Sequence, residues 1–330
     1  GAAQVVPNPA PGQTVGPSGL EFGHYRPVTV VARVFEEVNP PVDNIFATGD
    51  TGIPTATVTI TTSGGPVTPL SVSPMDATGL ITFTLVPTSN ATPYWVNVAP
   101  ITGFERSPGN TGAAQVTPNP GSGQTVGPSG LEFGHYRPVT VVARVFEEVN
   151  PPVDNIFATG DTGIPTATVT ITTSGGPVTP LSVSPMDATG LITFTLVPTD
   201  SATPYWVNVA PITGFERSPG NTGAAQVTPN PGSGQTVGPS GLEFGHYRPV
   251  TVVARVFEEV NPPVDNIFAT GDTGIPTATV TITTTNGTVT PLSVSPMDAT
   301  GLITFTLVPT DSATPYWVNV APITGFERSP

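Results

Sequence analysis

Residues 34–54 read VFEEVNPPVDNIFATGDTGIP, and the same letters return unchanged at 145–165 and 256–276. The stretch joins two apolar-alternating runs, VTVVARVF before it and TATVTITT after it. Alternation with period two places successive side chains on opposite faces of a strand, so this is a long loop between two β-strands. It gathers Glu36, Glu37, Asp43 and Asp50, with the amide of Asn39 as a further oxygen donor, in a chain with only 23 acidic residues. Two readings are open for such a loop. It is a cation site, or it is an ordinary acidic turn stiffened by Pro40-Pro41.

Self-similarity sets the organisation. GAAQV begins at Gly1, Gly112 and Gly223, a period of 111 residues. Copies one and two differ only at Val6/Thr117, Ala10/Gly121, Pro11/Ser122, Ser89/Asp200 and Asn90/Ser201. Copies two and three differ only where SGGP at 174–177 becomes TNGT at 285–288. All of these fall in linkers or turns. A period this long is the size of a globular domain, not of a solenoid coil.

The 36 glycines and 42 prolines favour turns over helices, and the abundant Val and Thr favour strands. Residues 27–35 alternate, with Val28, Val30, Ala32 and Val34 on one face. Residues 55–62 turn Ala56, Val58 and Ile60 inward, and SGGP at 63–66 makes a hairpin turn whose TNGT replacement carries the Asn-Gly of a type I′ turn. Residues 67–72 form the return strand, kept to a sheet edge by Pro69. Asp76 to Gly79 is a turn in which the Asp side chain bonds its own backbone. Residues 80–86 bury Ile81, Phe83 and Leu85; residues 94–99 bury Tyr94, Val96 and Val98 and turn Trp95 outward. About six short strands with Gly/Pro punctuation make a β-sandwich, and no segment reads as a helix.

The net charge of −14, with nine arginines and no lysine, excludes the basic footprint of a nucleic-acid binder and disfavours anionic membranes. No apolar run approaches the roughly 18 residues that span a bilayer. The absence of cysteine excludes disulfides. Each repeat has one histidine (His24, His135 and His246), read as structural. With neither Cys nor Lys, no catalytic constellation assembles, which points away from an enzyme. The sequons at Asn90 and Asn286 do not recur at one place in every copy and are read as accidental.

FGHYRP (22–27), VFEEVN (34–39), GDTGIPTATVTI (49–60), DATGLITFTLVP (76–87), PYWVNV (93–98) and ITGFE (101–105) occur in that order in each copy. In order and spacing they resemble the B-type repeats of Gram-positive serine-aspartate repeat adhesins. They are also similar to the collagen-adhesin B-type, prealbumin-like and Ig-like surface-protein domains. The resemblance implies an all-β protein of tandem Ig-like/prealbumin-like antiparallel sandwiches, three repeats of 111 residues. It places the boundaries so that 1–24 is the tail or closing strand of a preceding repeat. The modules are then 25–135, 136–246 and 247–330, the last without its closing segment.

It also implies a calcium loop, with Glu37, Asn39, Asp43 and Asp50 as ligands. The counterparts are Glu148, Asn150, Asp154 and Asp161, then Glu259, Asn261, Asp265 and Asp272. Some relatives cross-link through a Lys–Asn isopeptide bond; without lysine this chain forms none.

The expected function is a non-enzymatic extracellular stalk or fibre at the cell surface, stiffened by calcium. Its partner is the chain itself, through adjacent repeats, through strand addition by 109–135, and laterally through the outward Trp95, Trp206 and Trp317. The alternative is an adhesin module recognising a glycan or a host protein.

Overall fold

A computed structural model of the chain describes residues 2–3, 10–18, 20–89, 91–200, 202–311 and 313–330. The sequon asparagine Asn90 lies outside the described residues, as do residues 1, 4–9 and 19 of the expected tail. The chain divides into two compact units: Gly1–Pro138 with Gly232–Gly234, and Val139–Pro231 with Gln235–Pro330.

In the first repeat the strands are β1 (Val28–Glu36), β2 (Thr51–Gly52), β3 (Val58–Thr62), β4 (Gly65–Pro66), β5 (Ser71–Val72) and β6 (Leu80–Leu85). They continue with β7 (Trp95–Val98), β8 (Glu105–Arg106), β9 (Ala113–Gln115), β10 (Thr125–Val126) and β11 (Glu132–Tyr136). No helix occurs among the described residues. One sheet runs β5-β6-β1-β11-β8, with β2 and β10 also on β1; the other runs β4-β3-β7-β9.

Sequence pattern decides which faces meet. The Val/Ala face of β1 (Val28, Val30, Ala32, Val34) has no exposed surface at all. It forms one cluster with Ile81, Phe83 and Leu85 of β6, Ile60 of β3, and Val96 and Val98 of β7. Two sheets sharing one apolar layer are a β-sandwich. Strand β1 pairs antiparallel with β6 from Val28↔Leu85 to Arg33↔Leu80. The turn before β6 is built by Asp76, whose Oδ1 accepts from Thr78 N at 2.8 Å and Leu80 N at 2.9 Å. Gly79 follows in the left-handed region (φ +79), where a Cβ would sit 1.9 Å from the Val34 carbonyl oxygen. Only glycine lets the turn approach β1 that closely.

Two strand expectations change. The run 67–72 is not one return strand: Gly65–Pro66 pairs with β3 in one sheet, and Ser71–Val72 pairs with β6 in the other. The chain crosses between sheets around Pro69, which cannot donate to either ladder. The run 55–62 is a strand only from Val58, with a turn at Pro54 and Thr55. Among the described residues the first repeat has eleven strands rather than about six: the return run is replaced by β4 and β5, short β2 and β8 are added, and the segment after Arg106 supplies β9, β10 and β11.

That segment completes the same sandwich. Strand β9 lies antiparallel on β7 (Trp95↔Gln115 to Asn97↔Ala113), and β10 and β11 lie parallel on β1. It buries Val116, Leu131, Phe133 and Tyr136, each at most 4% exposed. Full burial of such side chains stabilises by about 1.5–3 kcal/mol each.

The second repeat repeats every pairing, from Val139–Glu147 to Glu243–Tyr247. In the third, Val250–Arg255 pairs with Leu302–Leu307, and Val280–Thr284 pairs with Trp317–Val320, but the chain ends without counterparts of β9, β10 and β11.

The closing segment should therefore carry much of the stability of its repeat. Phe133→Ala is expected to cost about 3–5 kcal/mol, as for a fully buried aromatic. Urea unfolding followed by Trp fluorescence checks this; a cost below about 1 kcal/mol would show that β11 is peripheral.

Candidate functional site

Glu37 follows β1 directly and is 1% exposed, an unusual place for a carboxylate. Its Oε1 accepts from Asp43 N at 2.9 Å and Asn44 N at 2.6 Å. Its Oε2 accepts from the hydroxyl of Ser107, 70 residues further along. Its own N–H donates to the His135 carbonyl at 2.7 Å. The buried charge is thus fully hydrogen-bonded, the condition for tolerating it away from water.

Around it sits a clasp centred on Gly134 of β11. The Gly134 N–H donates to Asn44 Oδ1 at 2.5 Å. Its carbonyl accepts from Ser107 N at 3.0 Å and Asn110 Nδ2 at 2.7 Å. Asn44 reaches this position from the left-handed region (φ 65), which Asn tolerates better than most residues. A Cβ on Gly134 would meet Asn44 Cα and Ser107 Oγ, both at 3.1 Å. Three segments distant in sequence are locked here: the acidic loop, the SPGN turn at 107–110 and the closing strand.

The neighbouring residues fasten the same strand pair. Arg33 Nη1 donates to Glu132 Oε1 at 3.1 Å across the parallel ladder, and its guanidinium lies 3.9 Å from the centroid of Phe46. Phe46 in turn meets Phe35 edge-on at 5.3 Å, so the loop is pinned against β1. Cation–π and edge-to-face contacts of this kind each stabilise by about 0.5–1.5 kcal/mol.

The electrostatics follow from burial. Burial pushes the Glu37 carboxyl above its ordinary value, against the hydrogen bonds from Ser107, Asp43 and Asn44, and the Asp43 charge adds to the rise. Asp50 is raised first by burial as well, while its bonds from Ala47 and Val38 pull it down. His135, 1% exposed, is held below the usual imidazole value by burial, although its Nδ1 bonds the Phe133 carbonyl.

The four expected ligands of the loop take part in hydrogen bonds and packing within it. Glu37 has both oxygens occupied by donors. Asp43 Oδ1 accepts from Ile45 N at 3.0 Å, and Asp50 Oδ2 from Ala47 N at 2.7 Å. The Asn39 amide packs on Gly49, where a Cβ would lie 2.7 Å from its Nδ2. Among the described residues no group of three or more His, Cys, Asp or Glu is placed to hold a metal ion. Each of the three carboxylates thus accepts at least one backbone N–H.

The second repeat is built alike: Glu148 takes Asp154 N, Asn155 N and Ser218, and Gly245 N donates to Asn155 Oδ1 at 2.6 Å. Asp154 and Asp161 bond Ile156 N and Ala158 N as their counterparts do, and Asn150 lies on Gly160. In the third, Glu259 keeps Asp265 N, Asn266 N and Ser329, and Asp272 takes Ala269 N, while Asn261 lies on Gly271. Glu259 is less buried there, and its carboxyl is held below the ordinary value, first by the Ser329 hydrogen bond.

Trp95 and Trp206 face outward as expected, each 37% exposed, and Trp317 is 59% exposed. The partners Ser107, Asn110, Asn44 and Gly134 carry no single-residue signal in the sequence; only the unchanged recurrence of ERSPGN at 105–110 and 216–221 accompanies them.

No family model matches the chain, and no curated protein does. Among solved structures it is similar to a double mutant of the shaft pilin SpaA from Lactobacillus rhamnosus GG. That match has 12% identity, covers 68% of this chain and 98% of the pilin, and has a TM-score of 0.25. It is also similar to a mutant of BcpA, the major pilin subunit of Bacillus cereus, at 10% identity, 91% and 96% coverage and a TM-score of 0.27. At scores this low the likeness establishes nothing further about this chain.

If the loop is a hydrogen-bonded clasp, Ser107→Ala leaves a buried carboxylate oxygen without its donor and costs about 1–3 kcal/mol. Excess calcium or EDTA leaves the melting temperature of the unsubstituted chain unchanged. A rise in melting temperature with calcium that Glu37→Gln abolishes would show instead that the loop is a cation site.

Proposed function

We propose that the chain is a load-bearing, non-enzymatic structural repeat protein, one segment of an extracellular stalk or fibre. One observation carries the reading: the first and last strands of a repeat are parallel neighbours. Residues 33–36 pair in register with 132–135, and 144–147 with 243–246.

The mechanics follow from the geometry. The chain enters a repeat at the start of β1 and leaves it at the end of β11. Because the two strands point the same way, those are opposite ends of one strand pair. Tension along the chain therefore slides β1 and β11 past each other instead of peeling them apart. Every ladder hydrogen bond between them, the Arg33–Glu132 pair and the Gly134 clasp are loaded together. An antiparallel terminal pair would open one bond at a time.

Repetition with few changes suits such a role, since each added unit lengthens the chain without new chemistry. The acidic surface and the absence of lysine keep identical units soluble at high copy number. The outward tryptophans offer an apolar contact to a neighbouring fibre; a glycan or a host protein on the same face is the second reading, resting on their exposure alone.

Single-molecule pulling from the two ends of the 330-residue chain tests this. The expected record has two high-force events, each releasing on the order of 350 Å as about a hundred residues straighten. The third repeat, which has no parallel closing strand in this chain, gives way at lower force. Three equal low-force events would contradict the load-bearing reading.

A further inference from the structure

The two sheets of a repeat differ in charge. Strands β1, β8 and β11 of one sheet carry Arg33, Glu36, Glu105, Arg106 and Glu132. Strands β3, β4, β7 and β9 of the other contain no Asp, Glu, Lys or Arg. The same holds in the second repeat, where the four strands again read VTITT, GP, WVNV and AAQ. In a chain of net charge −14, a charge-free sheet with an exposed tryptophan on an inner strand stands apart.

The register places what this sheet shows to solvent. Ile60, Val96, Val98 and Ala114 pack into the core, so alternation turns Thr59, Thr61, Trp95, Asn97, Ala113 and Gln115 the other way. They form two rows across three strands, Thr61–Trp95–Gln115 and Thr59–Asn97–Ala113. The rows lie about 7 Å apart and the strands about 4.8 Å apart, which makes a shallow platform. Among the described residues the Trp95 ring has no aromatic or cationic partner. Asn97 Nδ2 donates to Thr61 Oγ1 at 3.0 Å and to the Trp95 carbonyl at 3.3 Å, which holds the amide in place and leaves Oδ1 as an acceptor. Gln115 and Thr59 are exposed, and their amide and hydroxyl both donate and accept. The second repeat has the same rows about Trp206, with Asn208 Nδ2 on Thr172 Oγ1 at 3.0 Å.

We propose that this face binds a neutral polysaccharide. The C–H face of a sugar ring lies on the Trp95 indole, whose π-face is negative. The Asn97 and Gln115 amides and the threonine hydroxyls then hydrogen-bond the sugar hydroxyls. Charge decides among the occupants. A second copy on this face would set two bodies of net charge −14 against each other, and an anionic polymer would be repelled in the same way. A basic protein would be drawn to the acidic loop rather than to a sheet without charge. An uncharged polymer of hydroxyls meets no such repulsion, and its apolar ring faces and polar edges match one indole among amides and hydroxyls. The inference rests on the second reading of the tryptophan face and gives its ligand a chemical class.

Affinity electrophoresis of the 330-residue chain, in native gels cast with amylose, galactomannan, xyloglucan or alginate, tests it. The first three are uncharged and alginate is anionic. At least one uncharged polymer is expected to retard the chain, and a fluorescence titration with that polymer gives the same affinity at low and high salt, because no ion pair forms. Trp95→Ala, Trp206→Ala and Trp317→Ala together abolish the retardation while circular dichroism stays unchanged. Gln115→Ala with Gln226→Ala weakens binding about three- to tenfold, the size of a net hydrogen bond, and keeps the test readable if the tryptophan variant unfolds.

No retardation by any of the uncharged polymers overturns the proposal, as does retardation that survives the substitutions or falls with salt. Retardation by alginate alone, lost with the tryptophans, overturns the neutral class while keeping a ligand on this face, so the proposal and the reading beneath it fail separately. Self-association that the same substitutions abolish, without binding to any polymer, assigns the face to a second copy instead.

Discussion

The parallel ladder between residues 33–36 and 132–135 is the constraint on which the rest of each closed repeat depends. It joins the start of the repeat to its end, so no smaller piece of the repeat has a complete core. Parallel pairing requires a long connection between its strands, and here the whole sandwich is that connection. The cost is a large loop-closure entropy. The offset is the burial of Leu131, Phe133 and Tyr136, together with a polar clasp that recognises one register only. A strand slipped by one residue would put Phe133 on the solvent face and Gly134 against the core.

The buried carboxylate of Glu37 makes that register specific. A buried charge is weak evidence for stability in itself, since a well-packed apolar replacement often does as well. What it supplies here is conditionality. Glu37 is satisfied only when the loop turns at Asp43 and Asn44 and when Ser107 is delivered by a distant turn. The same acidic side chains that resemble a calcium loop thus act as acceptors for the backbone.

Much of the sandwich was legible in the sequence, because the strands of the core alternate strictly. The inward faces of β1 and β6, the buried Tyr94 and the outward Trp95 all follow from period two, and Asp76 from turn chemistry. The closing strands were not legible from their own alternation; only the family resemblance placed a closing strand in this segment. Strand β11 reads EFGHY, with a glycine at its centre and a histidine that looks polar, and β8 and β10 are only two residues long. Their strand character comes from the partner, β1, and not from their own composition. The clasp was hidden for a related reason. Its acidic-loop members lie 70 to 90 residues from Ser107 and Gly134, and because the copies are almost identical throughout, recurrence singles out no residue.

Hydrogen–deuterium exchange on the dilute chain tests the central claim most directly. Residues 20–25, 131–136 and 242–247 have the same sequence, LEFGHY, and differ only in whether a β1 edge of this chain receives them. The account predicts strong, equal protection of the amides in 132–136 and 243–247, and rapid exchange across 20–25. Equal, rapid exchange in all three segments would contradict it, because the parallel ladder that closes each repeat would then not exist in solution.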